Sequence, residues 1–290
     1  MKAPDFDYVR PDSIDQALAV LAEHGDRAQV LAGGQSLLAM LNLRLSSPDV
    51  LVDIGGLPGL RSIEVLDDHV RIGALVTHTQ LLESALIARS VPLLAAAVPH
   101  VAHLAIRNAG TIGGSLALAD PAAEYPAVAL ALDARLVLRG AAGERRVAAA
   151  DWCVGLYATA RRDDELLVAI EFPVAGPAHR SVFLELARRR GDYAMVGLAA
   201  ALEWVDGRVA AARFGWLAVG DQPLATPATA AVLLGRDLDQ ASIEAARRTL
   251  AEELPAHGDL HCDAPTRSHL AGVLLNRALV AIASQTGAHS

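Results

Sequence analysis

Two cysteines in 290 residues leave this chain unable to build an iron–sulfur cluster by itself, since a cluster needs four ligands. Cys153 and Cys262 are far apart and form no CxxC pattern, so both are read as small buried apolar residues rather than as a disulfide. Long apolar runs are missing too. Hydrophobic residues make up 53% of the chain, but Ala, Leu and Val supply them in stretches far shorter than the ~18 residues of a membrane span. Basic charge is scarce: 25 Lys and Arg against 33 Asp and Glu give −8, and the basic residues cluster only at Arg188-Arg189-Arg190. That balance argues against a nucleic-acid-binding face. Met1-Lys2-Ala3-Pro4-Asp5 lacks the apolar core and small-residue cleavage site of a secretory leader, so a cytoplasmic location is expected.

The chain is long enough for two units. Ser13 and Gln16 read as a capping box for a helix that ends near Gly25, and a strand, a glycine loop, a helix over Leu37 to Leu45 and a strand at Val50 to Ile54 follow. Ile63 to Val65 and Val70 to Ile72 flank Asp67-Asp68 as a hairpin, and Thr77 with Gln80 caps a helix running to Arg89. Asp120-Pro121 is expected to open another helix, and so is Asp151-Trp152. Strands are expected at Leu136 to Arg139, Arg145 to Ala148 and Leu166 to Phe172. Pro173-Val174-Ala175-Gly176-Pro177 can continue neither helix nor central strand and is read as the linker. Beyond it a three-stranded meander turns at Asp206-Gly207, and helices at 227–234, 241–253 and 264–284 close the chain.

Glycine pairs carry the chemistry. Ala32-Gly33-Gly34-Gln35-Ser36 and Gly110-Thr111-Ile112-Gly113-Gly114-Ser115 can each turn backbone N–H groups and hydroxyls toward a phosphate. One such loop alone reads better as a tight turn; two in one domain favour a nucleotide. Neither matches GxGxxG or a P-loop, and Gly34-Gln35-Ser36-Leu37-Leu38 lacks the second glycine of a nucleophile elbow. His100 and His103 have no third ligand at motif spacing and are read as structural. Asp120, Glu124 and Asp192 are assigned to capping or ion pairing, and Tyr193, by its type alone, to core packing.

Together these segments resemble a known family. Leu31-Ala32-Gly33-Gly34-Gln35-Ser36-Leu37, Arg107-Asn108-Ala109-Gly110-Thr111-Ile112-Gly113-Gly114-Ser115, Ala119-Asp120-Pro121-Ala122-Ala123-Glu124 and Arg190-Gly191-Asp192-Tyr193-Ala194 are similar, in order and spacing, to the medium subunit of the xanthine dehydrogenase and aerobic carbon monoxide dehydrogenase family. The resemblance implies an α+β chain: a two-part FAD-binding domain of the vanillyl-alcohol-oxidase (PCMH) type over 1–176, then a smaller domain over 177–290 with a three-stranded antiparallel sheet and helices. It implies noncovalent FAD, with Val30-Leu31-Ala32-Gly33-Gly34-Gln35-Ser36-Leu37 and Gly110-Thr111-Ile112-Gly113-Gly114-Ser115 at the pyrophosphate, Asp120 on the flavin side, a backbone contact from Leu167 and Tyr193 over the isoalloxazine. Thr77 and Glu185 complete the expected cofactor-binding set.

The implied partners are a small subunit with [2Fe–2S] clusters, a large molybdenum-pterin subunit and an external electron acceptor. The sequence departs from the common pattern at Gln29, Asn42 and Glu185, where many relatives carry Lys, and at Leu118, where His is frequent. Fewer cations near the cofactor would alter flavin potential and acceptor choice. Two other readings are a free-standing FAD oxidase or dehydrogenase, against which Gln35 stands because it cannot make a histidyl link, and a cofactor-free interaction module.

Overall fold

Side-chain caps set where the first helices begin. Strand β1 (Asp7–Val9) leads into α1 (Ile14–His24), whose Ser13 cap accepts the N–H of Gln16. Gln16 Oε1 takes the N–H of Asp12 at 2.9 Å, one residue before the position a reciprocal capping box would use. Then come β2 (Ala28–Leu31), α2 (Leu37–Asn42) and β3 (Val50–Asp53), with β3 lying between β1 and β2 and parallel to both. This is the expected strand, loop, helix, strand unit. The computed structural model describes residues 2–189, 191–254, 257–260 and 262–286, so Arg190 of the segment before Tyr193 lies outside the described residues.

β4 (Ile63–Val65) and β5 (His69–Gly73) form the expected hairpin. A helical stretch follows: α3 (His78–Glu83), α4 (Ala85–Ser90), α5 (Pro92–Ala97), α6 (Leu104–Ala109), α7 (Ile112–Leu118) and α8 (Glu124–Ala131). Thr77 and Gln80 make a full capping box on α3. The single helix expected to reach Arg89 is divided, because Ser84 adopts an extended backbone and its Oγ caps α4 through the N–H of Ile87. Nor do Asp120 and Pro121 open α8. Asp120 Oδ1 accepts the N–H of Ala122 at 2.9 Å, which holds a turn, and the helix starts at Glu124.

β6 (Arg135–Gly140) and β7 (Gly143–Ala148) form a hairpin, β8 (Cys153–Gly155) and β9 (Ala158–Thr159) a smaller one, and β10 (Leu166–Pro173) completes a five-stranded antiparallel sheet in the order β4-β5-β10-β6-β7. The helix expected at Asp151-Trp152 is replaced by one 3-10 turn at Ala149–Asp151 and the β8–β9 hairpin. Trp152 is fully buried and its indole donates to the Leu116 carbonyl at 2.8 Å, so tertiary burial overrides the local start signal.

After residues 174–178 come β11 (His179–Ala187), β12 (Ala194–Val205) and β13 (Arg208–Leu217), the expected meander. Asp206 (φ 50) and Gly207 (φ 74) are both left-handed, as a two-residue type I′ hairpin turn requires. A two-residue strand, β14 (Leu224–Ala225), adds a fourth member, and α9 (Pro227–Ala231), α10 (Gln240–Glu253) and α11 (Ala264–Thr286) follow.

β12 shows how the core is layered. Ala199 and Ala201 face the core that also contains Val128, Ile170 and Phe172, while Leu198, Ala200 and Leu202 face Leu275 and Leu279 of α11. A third core lies between the parallel sheet, α1 and the opposite face of the five-stranded sheet. The tightest junction is at Gly215 of β13, where an added Cβ would lie 2.0 Å from the Ala127 carbonyl oxygen of α8. Gly215→Ala should therefore cost about 2 kcal/mol by forcing helix and sheet apart. Urea unfolding of parent and variant measures it; an unchanged midpoint would show that α8 shifts freely.

Candidate functional site

The first glycine loop joins β2 to α2. Gly34 is left-handed (φ 71), and Gln35 Nε2 turns back to donate to the Gly33 carbonyl at 3.0 Å. Among the described residues, no hydrogen bond engages the backbone N–H groups of Gly33, Gly34, Gln35 or Ser36. Gly34 and Ser36 use only their carbonyls, which accept from Leu38 and Met40. Four successive donors thus have no acceptor among the described residues.

The second loop differs. Ile112 donates to Val76 O and Gly113 to Ala74 O, each at 3.0 Å, while Gly114 donates to Thr111 Oγ1 and Ser115 to Thr111 O. Its amides are spent on anchoring the loop to the end of β5 and on starting α7. Gly113 is required there because a Cβ would lie 2.5 Å from that of Ala74. What Thr111 and Ser115 retain for a ligand is hydroxyl chemistry.

The two loops meet backbone to backbone. A Cβ on Gly33 would lie 2.1 Å from the Ala109 carbonyl oxygen and 2.9 Å from Gly110 Cα. Thr77 pairs with Thr111 across an isolated antiparallel bridge, and His78 N donates to Gly110 O at 3.1 Å. Behind them the His78 imidazole, buried and hydrogen-bonded to Tyr125 Oη at 2.9 Å, packs against Gly110. Burial, with Arg107 nearby, lowers the His78 pKa to about 4, so it is a neutral strut. Sequence reasoning had not marked His78.

A second group of side chains gathers beyond α7, whose seven residues span about 10 Å. Ala119 ends that helix in the left-handed region (φ 52) and sets Asp120, whose residue is only 9% exposed. Tyr157 Oη reaches Asp120 Oδ2 at 3.4 Å. Tyr193, from the second sheet's side, lies beside the same carboxylate, and burial of its phenol end followed by Asp120 raises its pKa to about 12. The core assignment for Tyr193 is corrected here, because the residue is 69% exposed. The turn before it is held by His103, whose ring fills the space a side chain at Gly191 would need. From the far end of the chain, the buried Arg267 donates to Met195 O at 2.8 Å and to Asp259 Oδ2 at 2.5 Å, tying α11 to the start of β12.

Two carboxyls sit at the junction of α8 and β11. The Glu185 side chain is 5% exposed with Oε2 unmatched by any hydrogen bond, and His100 Nδ1 lies 4.0 Å away. Burial raises its pKa to about 7. Burial, then Glu185 and Asp120, raise the pKa of Glu124, the acidic residue in the first turn of α8, to about 8. Leu167 is 4% exposed at an irregularity in β10, so its side chain belongs to the core and only its backbone is left to a ligand. A cavity of about 200 Å³ lies elsewhere, beside residues 173–175, with Asp133, His179, Glu203 and Arg213 in its wall. Among the described residues, no group of three or more His, Cys, Asp or Glu is arranged to hold a metal ion, and no helix is long and apolar enough to cross a membrane. Cys153 and Cys262 are free thiols.

Two family profiles match this chain: the FAD binding domain in molybdopterin dehydrogenase over residues 4–175, and the CO dehydrogenase flavoprotein C-terminal domain over residues 181–282. The alpha subunit of the 6-hydroxypseudooxynicotine dehydrogenase complex of Paenarthrobacter nicotinovorans is 38% identical, covering 96% of this chain and 95% of its own. The carbon monoxide dehydrogenase medium chain of Hydrogenophaga pseudoflava is 34% identical, with 96% and 97% covered. Among solved structures, carbon monoxide dehydrogenase from Hydrogenophaga pseudoflava superposes with a TM-score of 0.95 at 34% identity, covering 98% of this chain and 99% of that one. Quinoline 2-oxidoreductase from Pseudomonas putida 86 gives 0.92 at 37% identity, with 98% and 99% covered. The chain belongs to the family of FAD-binding medium subunits of molybdenum hydroxylases.

Proposed function

We propose that this chain binds FAD noncovalently and serves as the electron outlet of a molybdenum hydroxylase. It receives electrons from the [2Fe–2S] clusters of a small partner subunit, which a large molybdenum-pterin subunit supplies, and hands them to an external acceptor. The observation that carries this reading is the run of unengaged N–H groups from Gly33 to Ser36. Successive amide donors without an internal acceptor are what a diphosphate neutralises. Val30 to Leu37 would hold the pyrophosphate from one side, with Thr77 and the hydroxyls of Thr111 and Ser115 completing the cradle from the other. Asp120 and Tyr193 would meet the ring system, and Leu167 would add a backbone contact.

Bound FAD supplies the electron chemistry itself. The protein binds and orients it, and near the Asp120 and Tyr193 end burial raises the pKa of Glu124 to about 8 and of Glu185 to about 7. We assign residues 1–176 to the FAD domain and 177–290 to the second domain, which lends Tyr193 and Glu185. Clusters placed in a partner fit a chain with two separate free thiols, as does a reducing cytoplasm. A self-contained oxidase with histidyl-linked flavin is disfavoured, because Gln35 offers no ring nitrogen and is folded onto Gly33.

Gly33→Ala should weaken FAD binding by about tenfold or more, since the methyl group would push the first loop off Ala109. Quenching of flavin fluorescence on titration measures this, and parent-like affinity would remove the loop from the site. All yellow colour should leave the parent on acid precipitation, and metal analysis of the purified chain should find neither molybdenum nor iron in stoichiometric amount. Substrate hydroxylation by this chain alone would overturn the electron-outlet reading.

The carboxyls also make stability depend on pH. A carboxyl raised above its ordinary 4.5 binds its proton more tightly in the folded state, so its contribution is full below 4.5 and is lost as pH rises through about 7 for Glu185 and about 8 for Glu124. His78, lowered to about 4, acts oppositely and only below its ordinary 6.5. Between pH 6.5 and 8 the unfolding temperature of the FAD-free chain should therefore fall, and Glu185→Gln should flatten that fall. Parallel curves for parent and variant would show that Glu185 is ionised throughout.

A further inference from the structure

Tyr157 is absent from the cofactor-binding set that the family resemblance implies, yet its backbone and surroundings are out of the ordinary. Gly155 pairs with Ala158 in the β8–β9 hairpin, so Leu156 and Tyr157 form a two-residue turn. Tyr157 occupies the left-handed region (φ 53), a conformation that turns usually give to Gly or Asn, because any other side chain crowds its own carbonyl. Burial does not compensate for that crowding. The residue is 55% exposed, and its neighbours Val154 and Leu156 are as open. Its side-chain hydrogen bond is the long one to Asp120 Oδ2, at 3.4 Å.

That carboxylate is a shared point. Asp120 Oδ1 is held by the Ala122 N–H, so the carboxylate cannot rotate freely, and its Oδ2 faces the Tyr157 hydroxyl. Tyr193 stands beside it from the other domain. Two largely exposed tyrosines, out of four in the chain, thus converge from different elements on one carboxylate at the end of α7. Strain that the fold does not repay by burial points to a contact made outside the fold.

We infer that Tyr157 is a flavin-positioning residue: held in a strained turn, it fixes the Asp120 carboxylate opposite Tyr193 so that Asp120 meets the ring system in one orientation. This rests on the reading that FAD binds across the two glycine loops. Val154 and Leu156 are exposed on the same hairpin.

The test uses the full chain with Tyr157→Asn, which suits the left-handed turn but removes ring and phenol, and Tyr157→Phe, which keeps the ring and removes the hydroxyl. In Tyr157→Asn the FAD-free chain should unfold at or above the parent temperature, because turn strain is relieved, while its FAD dissociation constant rises about fivefold. Tyr157→Phe should bind FAD nearly as the parent does, yet shift the visible circular dichroism and the reduction potential of the bound flavin through the freed Asp120. Parent-like affinity, dichroism and potential in both variants would return Tyr157 to an ordinary turn residue. So would a loss of FAD-free stability in Tyr157→Asn large enough to account for weaker binding. A parent chain that takes up no FAD would instead overturn the underlying reading, and the proposal with it.

Discussion

Backbone-to-backbone contact between the two glycine loops is the constraint on which the site depends. Gly33 can lie on Ala109 and Gly110 only because it has no side chain, and among the described residues the amides of that first loop meet no acceptor. The second loop can serve as support because its own amides are already committed to Ala74, Val76 and Thr111. Two similar-looking motifs thus do different work: one presents donors, the other stiffens the surface behind them. His78 and Tyr125 continue that support into the core as a neutral hydrogen-bonded pair.

Charge is distributed on the same principle of commitment. Where the five-stranded sheet buries acids, arginines answer them with forked contacts: Arg145 grips Glu165 at 2.6 and 2.7 Å, and Arg146 grips Glu171 at 2.8 and 2.9 Å. Lys2 is the only lysine in the chain, so flexible cations are not on hand to neutralise acids elsewhere. Glu124 at the start of α8 and Glu185 in β11 show no such forked arginine contact among the described residues, and burial raises the pKa of both. The forked pairs stabilise the scaffold, whereas Glu124 and Glu185 leave an ionisable region next to Asp120.

Much of this was legible in the residues. Thr77 with Gln80 and Asp206 with Gly207 state their local structures outright, because both signals act within four residues, and the glycine pairs mark both loops. The misreadings share one cause. Ser84 looks like a residue inside a helix until its hydroxyl is seen capping the next one, and Trp152 looks like a helix start until its indole is found on Leu116 O. The direction of the second loop's amides depends on Ala74 and Val76, more than 30 residues earlier, and no spacing rule reports it. Tyr157 escaped, and Tyr193 read by type alone as core, for a related reason: exposure is a property of the assembled surface, not of residue type.

Arg267 gives the site an order in time. A chain leaving the ribosome N-terminus first completes both glycine loops by Ser115 and exposes Tyr193 much later. Met195, two residues past that tyrosine in β12, receives the guanidinium of α11 on its carbonyl only once residue 267 has been made. Both glycine loops are therefore made before the segment that carries Tyr193 can be fastened to α11.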